Sequence, residues 1–293
     1  MFEIVAQRYP KVWPYIQLMR LDRPIGTLLL LWPTLWAVWV AGDGSPSLRT
    51  FVVFTLGVIV MRAAGCVIND YADRDFDGHV TRTKGRPLAT GAVTSKQALA
   101  LFAGLVFAAF VLVLFVNRFT FWLSFVGLGL AMLYPFTKRF TFMPQIFLGA
   151  AFSWAIPMAF AAETGELPPA AWLLYTANLL WTVAYDTQYA MVDREDDLKI
   201  GIRSTAILFG DADRLMIALL QGMAVFTLYM LGHRLGLSWA YWLGVAAAAG
   251  LFVYQFLLTK ERQPAECFKA FLNNQWAGMA IFAGLLLHYL LAA

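Results

Sequence analysis

Two short stretches concentrate side chains able to hold a hard cation. The first is Asn69-Asp70-Tyr71-Ala72-Asp73-Arg74-Asp75-Phe76-Asp77, and the second carries Asp186, Asp193 and Asp197. At about 100° per residue, Asn69, Asp73, Asp77 and Asp70 fall at about 0°, 40°, 80° and 100° of a continuing helix, one face from which Asp75 is excluded. Asp186, Asp193 and Asp197 fall within about 40° of one another, while Glu195 points away. Carboxylates stacked at i,i+4 repel unless something cationic lies between them. Mg²⁺ suits the position, because it takes oxygen ligands and shares a few carboxylates with substrate phosphates. Arg82, Lys84 and Arg86 follow the first cluster, and Lys199 and Arg203 follow the second. Carboxylates for a metal beside Arg and Lys for phosphate oxygens is the composition of a diphosphate-handling site. Solvated charges near a helix end would explain any one of these residues, but not the set.

The elements that must position these clusters are membrane helices. The 293 residues are 60% hydrophobic and only 14% charged, too little polar surface for a water-exposed globule. Apolar runs of bilayer length fall at 25–41, 50–68, 98–116, 119–136, 143–162, 168–187, 214–232, 238–258 and 275–292, which predicts an all-α polytopic protein with nine transmembrane helices. With the N-terminus cytoplasmic, 19 of the 22 Lys and Arg residues lie on one side and only Arg49, Arg118 and Arg234 on the other, the bias that the positive-inside rule reads as N-in, C-out. The net charge of +4 is then an orientation signal, and no nucleic-acid partner is expected. Residues 1–24 read as an amphipathic segment lying at the interface, with Val12, Trp13, Tyr15, Ile16 and Met19 on its apolar side. The long inner segments 69–97 and 188–213 are the expected active-site loops. They follow the second and sixth spans, so two four-helix repeats plus a ninth helix are expected within a single domain, 1–293. Cys66 and Cys267 imply neither a disulfide framework nor a zinc site.

Asn69-Asp70-x-x-Asp73-x-x-x-Asp77 and Asp193-x-x-x-Asp197 resemble the NDxxDxxxD and DxxxD motifs of the UbiA superfamily of intramembrane prenyltransferases. Tyr185 to Asp193, Gly201-Ile202-Arg203-Ser204-Thr205, Arg20 to Gly26, Arg86-Pro87-Leu88 and Tyr134 to Arg139 are similar to its branch that acts on 4-hydroxybenzoate. The resemblance implies nine helices ringed around a central cavity, with both motifs at its cytoplasmic mouth in a bacterial inner membrane. It also implies transfer of a polyprenyl group from its diphosphate to the ring carbon ortho to the acceptor's hydroxyl, in ubiquinone synthesis. The metal set is then Asn69, Asp73, Asp77, Asp193 and Asp197, holding Mg²⁺, with Asp70 and Asp186 as further catalytic carboxylates. Arg86, Lys138, Arg139, Lys199 and Arg203 are the expected diphosphate contacts, and Arg23 the expected partner of the acceptor carboxylate. No obligate protein partner is implied. Another aromatic acceptor is the alternative within the family. An ion-coupled transporter is the rival outside it, separated by depth, because transporter carboxylates lie near the midplane.

Overall fold

The computed structural model describes residues 6–75, 77–79 and 82–292, and every regular element among them is helical. A short helix, α1 (Trp13–Leu18), precedes α2 (Ile25–Ala41), α3 (Leu48–Asp73), α4 (Ser95–Val113) and α5 (Arg118–Thr137). Then come α6 (Pro144–Ser153), α7 (Ala155–Thr164), α8 (Pro169–Ile200), α9 (Thr205–Phe209), α10 (Asp213–Leu235), α11 (Trp239–Leu258) and α12 (Pro264–Ala292). Seven stretches are long and apolar enough to cross a membrane: Leu48–Asp73, Ser95–Val113, Arg118–Thr137, Pro144–Thr164, Thr205–Leu235, Trp239–Leu258 and Pro264–Ala292. The protein is integral to a membrane. α2 is shorter, at 17 residues, and α8 runs for 32 residues with no buried residue beyond Met191.

Helix starts follow local chemistry. Thr94 and Gln97 close a capping box on α4, and Ser47 and Asn117 cap α3 and α5 through their side chains. The run expected as one span at 143–162 is two helices broken at Ser153–Trp154. Pro157 lies four residues after Ser153 and offers no N–H to its carbonyl. The Trp154 indole meanwhile donates to the Leu123 carbonyl of α5 at 2.9 Å. The second expected loop, 188–213, is helical through Ile200. It stops at Gly201, whose φ of +73° is the left-handed cap a glycine adopts without strain.

α8 is the hub. Its Trp181 stacks on Trp36 of α2 with centroids 5.5 Å apart and donates to Asn274 of α12 at 2.8 Å. A buried amide network continues from there. Asn274 donates to Gln188 at 2.9 Å, and Gln188 and Gln221 donate to Gln255 at 3.2 and 2.8 Å. Gln255 in turn donates to Asn273 at 3.0 Å. Each such bond within a bilayer contributes only ~0.6 kcal/mol. Together they fix the rotation of α8 against α10, α11 and α12, and so aim Tyr185, Asp186 and Tyr189 at the chamber between the helices. At the other side, Leu18 of α1 packs with Val67, Val93 and Ala98. That contact sets Arg20 over the end of α3 with a left-handed φ of 55°, a strained conformation held by its ion pair.

Candidate active site

Two connected cavities meet at the ends of α3 and α8. The larger, about 1150 Å³, is an apolar chamber whose walls include Phe54, Val58, Phe110, Leu128, Trp154 and Met158. The smaller, about 150 Å³, is polar and is lined by both acidic clusters: Asn69, Asp73 and Asp77 from one side, Asp193 and Asp197 from the other. Asp186 and Tyr189 line both cavities.

The first cluster departs from a continuous helical face. α3 ends at Asp73, and Asp77 sits in a separate 3-10 turn, Asp77–His79. The Asp77 carbonyl accepts from the Thr83 hydroxyl at 2.9 Å, and Arg86 Nη1 donates to both Asp77 carboxylate oxygens at 3.0 and 2.9 Å. Tertiary pairing therefore brings Asp77 to the polar cavity, where helical periodicity was the expectation. Asp70 is 1% exposed. It accepts from Arg20 Nη2 at 2.9 Å on both oxygens, with Arg86 Nη1 3.0 Å away. It faces the large chamber and not the polar cavity, so its place is to hold two guanidinium groups at the mouth.

Asp73 pairs with Lys138 and accepts from Asn69 Nδ2 at 3.3 Å. Asp193 receives the fork of Arg82, with Nε 2.9 Å from Oδ1, and the same guanidinium lies 4.6 Å above the Tyr189 ring. Burial raises the Asp77 carboxyl above the usual carboxylate range, against the pull of Arg86. Asp197 is pushed up to about 7, first by burial and then by the charge of Asp193, with Lys138 and Arg82 opposing.

Other expected residues fall differently. Arg203 reaches the polar cavity and donates to the Phe140 carbonyl at 2.9 Å. Arg139 donates to the Ala72 carbonyl at 2.6 Å, bracing the end of α3 from outside that cavity. The Lys199 side chain is 70% exposed and pairs with Asp196 at 3.3 Å, turned away because it occupies the last turn of α8 on another face. Arg23 borders the chamber with its side chain 75% exposed, 3.7 Å from Asp22.

Two cations escaped the sequence reading as site residues, Arg20 and Arg62, and Arg82, expected there only as a flanking phosphate group, is the partner of Asp193. Arg62 is the most informative. It lies in α3, seven residues before Asn69 and on the same helical face, and lines the apolar chamber. Its buried Nε has no hydrogen-bond partner, and its guanidinium is 5.8 Å from the Phe152 ring. Gly26 makes the room, since a Cβ there would sit 2.3 Å from Arg62 Nη2. A charge inside an apolar run was the available signal.

The donor set suits a hard divalent cation. The Asp73 Oδ1 atom is buried and unpartnered and faces a cavity whose acidic ligands are all oxygen. Among the described residues no three acidic, His or Cys side chains converge closely enough to complete a metal shell by themselves. A cation here would take one or two carboxylates and complete its shell with phosphate oxygens or water, the habit of Mg²⁺.

The sequence matches the UbiA prenyltransferase family over residues 30–283. It is 71% identical over 289 residues to the 4-hydroxybenzoate octaprenyltransferase of Alcanivorax borkumensis, spanning 99% of this chain and 100% of that protein. It is 62% identical over 291 residues to the enzyme of the same name from Ectopseudomonas mendocina, covering 99% of this chain and 98% of that one. The fold is similar to the apo structure of a UbiA homolog from Aeropyrum pernix, with a TM-score of 0.80 at 23% identity over 89% of this chain and 97% of that one. It is also similar to a UbiA homolog from Archaeoglobus fulgidus bound to GPP and Mg²⁺, with a TM-score of 0.65 at 18% identity over 92% and 99% of the two chains. The chain belongs to the UbiA prenyltransferase family.

Proposed function

We propose that this chain transfers a polyprenyl group from polyprenyl diphosphate to the carbon ortho to the hydroxyl of 4-hydroxybenzoate, releasing diphosphate, in ubiquinone biosynthesis. The observation that carries the reading is the junction of the two cavities. A polar cavity with two carboxylate faces and interleaved Arg and Lys opens into an apolar chamber whose wall holds the half-buried cation Arg62, its Nε buried and unpartnered. The names of the 71% and 62% identical relatives supply the acceptor and point to an octaprenyl donor.

Asn69, Asp73, Asp77, Asp193 and Asp197 would hold Mg²⁺, which when bound neutralises the leaving diphosphate. Lys138, Arg82, Arg86 and Arg203 lie where phosphate oxygens would enter, and Arg20 and Arg86 are presented by Asp70. The chamber takes the polyprenyl tail and excludes water that would quench the allylic cation formed as the C–O bond breaks. Arg62 takes the acceptor carboxylate, the role expected of Arg23, and turns the ring towards that cation. As the new C–C bond forms, the ring must lose a proton. Asp186, at the junction, is the carboxylate placed to receive it or to orient the phenol.

In the membrane this reading makes α2 and the apolar part of α8 two further spans beside the seven long ones, nine in all, with two four-span repeats and a final helix. The N-terminus and the polar cavity face the cytoplasm of a bacterial inner membrane, in keeping with the placement of Arg49, Arg118 and Arg234 at the far ends of their helices. The test is a panel of aromatic acceptors offered to membranes containing the protein, Mg²⁺ and octaprenyl diphosphate. 4-Hydroxybenzoate should be prenylated at carbon, and preference for a dihydroxynaphthoate or homogentisate would replace the acceptor assignment.

A further inference from the structure

Asp213 opens α10 outside both cavities, and its side chain is wholly buried. Three donors converge on it. Arg194 of α8 pairs with Oδ2. Arg262, in the link between α11 and α12, places Nε 3.0 and 3.2 Å from the two oxygens. The backbone N–H of Arg214 donates to Oδ1 at 2.6 Å. Arg262 also donates to the Asp211 carbonyl at 2.7 Å and is held at φ +52°, a left-handed conformation that a non-glycine residue keeps only when its surroundings impose it.

The position of this clamp along α8 gives it a role. Fully buried residues of α8 end at Met191 and Val192 still packs on the cluster of Met191, Ala206 and Ile217, so beyond that turn the segment that bears Asp193 and Asp197 depends increasingly on polar contacts. Two ion pairs tie it to neighbouring elements. One is the Arg82–Asp193 pair, which belongs to the site and must rearrange when a metal and diphosphate enter. The other is Arg194–Asp213, made by the residue next to Asp193 and about 60° around the helix from Asp197. With carboxylates roughly 5–6 Å from the helix axis, a rotation of about 15° would carry them ~1.5 Å. A displacement of that size weakens cation binding, because Mg²⁺ demands near-ideal octahedral geometry with ligands at about 2.0–2.1 Å. Arg262 adds a second link, because Pro264, Ala265 and Phe268, just beyond it, line the chamber.

We propose that Asp213 is a positioning residue for the cation-binding face of α8, acting through Arg194 and coupling that face to the chamber wall through Arg262. The proposal rests on the assignment of Asp193 and Asp197 to the Mg²⁺–diphosphate site. It is tested by titrating Mg²⁺ against prenyl transfer by the full chain in lipid vesicles and, with inorganic diphosphate in place of both substrates, against its melting temperature, half-saturating Mg²⁺ being read from each. Asp213→Asn, which keeps the shape and removes the charge, should raise half-saturating Mg²⁺ at least tenfold. At saturating Mg²⁺ the kcat should stay within about threefold of wild type, and the KM for 4-hydroxybenzoate should not move. Arg194→Gln should reproduce the shift and Arg194→Lys should reverse part of it. Half-saturating Mg²⁺ unchanged in folded Asp213→Asn overturns the proposal, whatever happens to specific activity. Where Asp213→Asn does not accumulate, Arg194→Gln decides by the same criterion, since Arg262 still covers Asp213. Wild-type turnover that needs no Mg²⁺ would overturn the functional reading first, and the proposal with it.

Discussion

Replacing Arg62 by Gln removes the guanidinium that α3 presents to the apolar chamber while leaving the lining of the polar cavity intact. Arg62 Nε is buried and unpartnered, so a substrate carboxylate there gains charge-assisted hydrogen bonds at a group already out of water. Truncating one partner of a buried charged pair costs ~2–5 kcal/mol. The chamber communicates with the polar mouth, which puts the loss in the lower part of that range, and ~2–3 kcal/mol corresponds to roughly 30- to 150-fold. The contact is made in ground state and transition state alike, so it should appear as a raised KM for 4-hydroxybenzoate with kcat within about threefold. The assay is steady-state transfer in vesicles with each substrate varied in turn, and 4-hydroxybenzamide as an uncharged acceptor. Arg62→Gln should erase the preference for the acid over the amide and leave the KM for the prenyl diphosphate nearly unchanged. Gly26→Ala should do the same more weakly, because its Cβ would lie 2.3 Å from Arg62 Nη2 and only the end of the side chain need move. Arg23→Gln should have little effect, its side chain being 75% exposed. An unchanged acceptor KM in folded Arg62→Gln, or an equal loss for both substrates, would refute the placement.

Asp73→Asn and Asp193→Asn should each lower turnover by orders of magnitude while folded protein remains in the membrane, and loss of the folded protein instead would make these carboxylates structural. Lys138→Ala and Arg203→Ala should raise the KM for prenyl diphosphate more than that for 4-hydroxybenzoate, as measured by varying each substrate at saturating levels of the other. Asp186→Asn should still allow slow, Mg²⁺-dependent loss of diphosphate while carbon prenylation nearly disappears, read by following both products in one reaction. Asp197 titrates near 7 and must be ionised to bind a cation, so half-saturating Mg²⁺ should rise by about tenfold between pH 8 and pH 6 and flatten in Asp197→Asn. The sign for stability is opposite to that of an ordinary salt-bridged carboxylate. Its folded value lies above the unfolded one near ~4, so the stability this group contributes to the metal-free protein is complete below ~4 and lost as pH rises through about 7. Thermal shifts on adding Mg²⁺ should accordingly be larger at pH 8 than at pH 6.

The carboxylate faces were legible because i,i+4 spacing writes a helical face directly into the sequence, and Asn69, Asp73, Asp193 and Asp197 do share one cavity. The same rule failed at Asp77, where α3 has already ended and Arg86 supplies the placement. Basic residues were harder to read. Counting charges gives the side of the membrane but not what each charge touches, so Lys199 looked equivalent to Lys138, whereas Lys138 pairs with Asp73 and Lys199 turns to Asp196. Arg62 was absorbed into the same tally although it stands inside an apolar run. Arg20 and Arg82 owe their places to partners 50 and 111 residues away, a separation that no local pattern encodes. Among the helices, apolar length located the long spans, and the break at Ser153–Trp154 was missed because Pro157 interrupts a run whose hydropathy does not change.

The most direct test of the account is a single-turnover experiment on the purified chain in lipid vesicles. Octaprenyl diphosphate and ring-labelled 4-hydroxybenzoate would be mixed with and without Mg²⁺, and diphosphate release and the prenylated acid measured together. The account predicts one diphosphate released per acid prenylated at the carbon ortho to the hydroxyl, neither product in EDTA, and recovery of both when Mg²⁺ is restored. Full turnover in EDTA, or Mg²⁺-dependent diphosphate release with 4-hydroxybenzoate left unmodified, would contradict it.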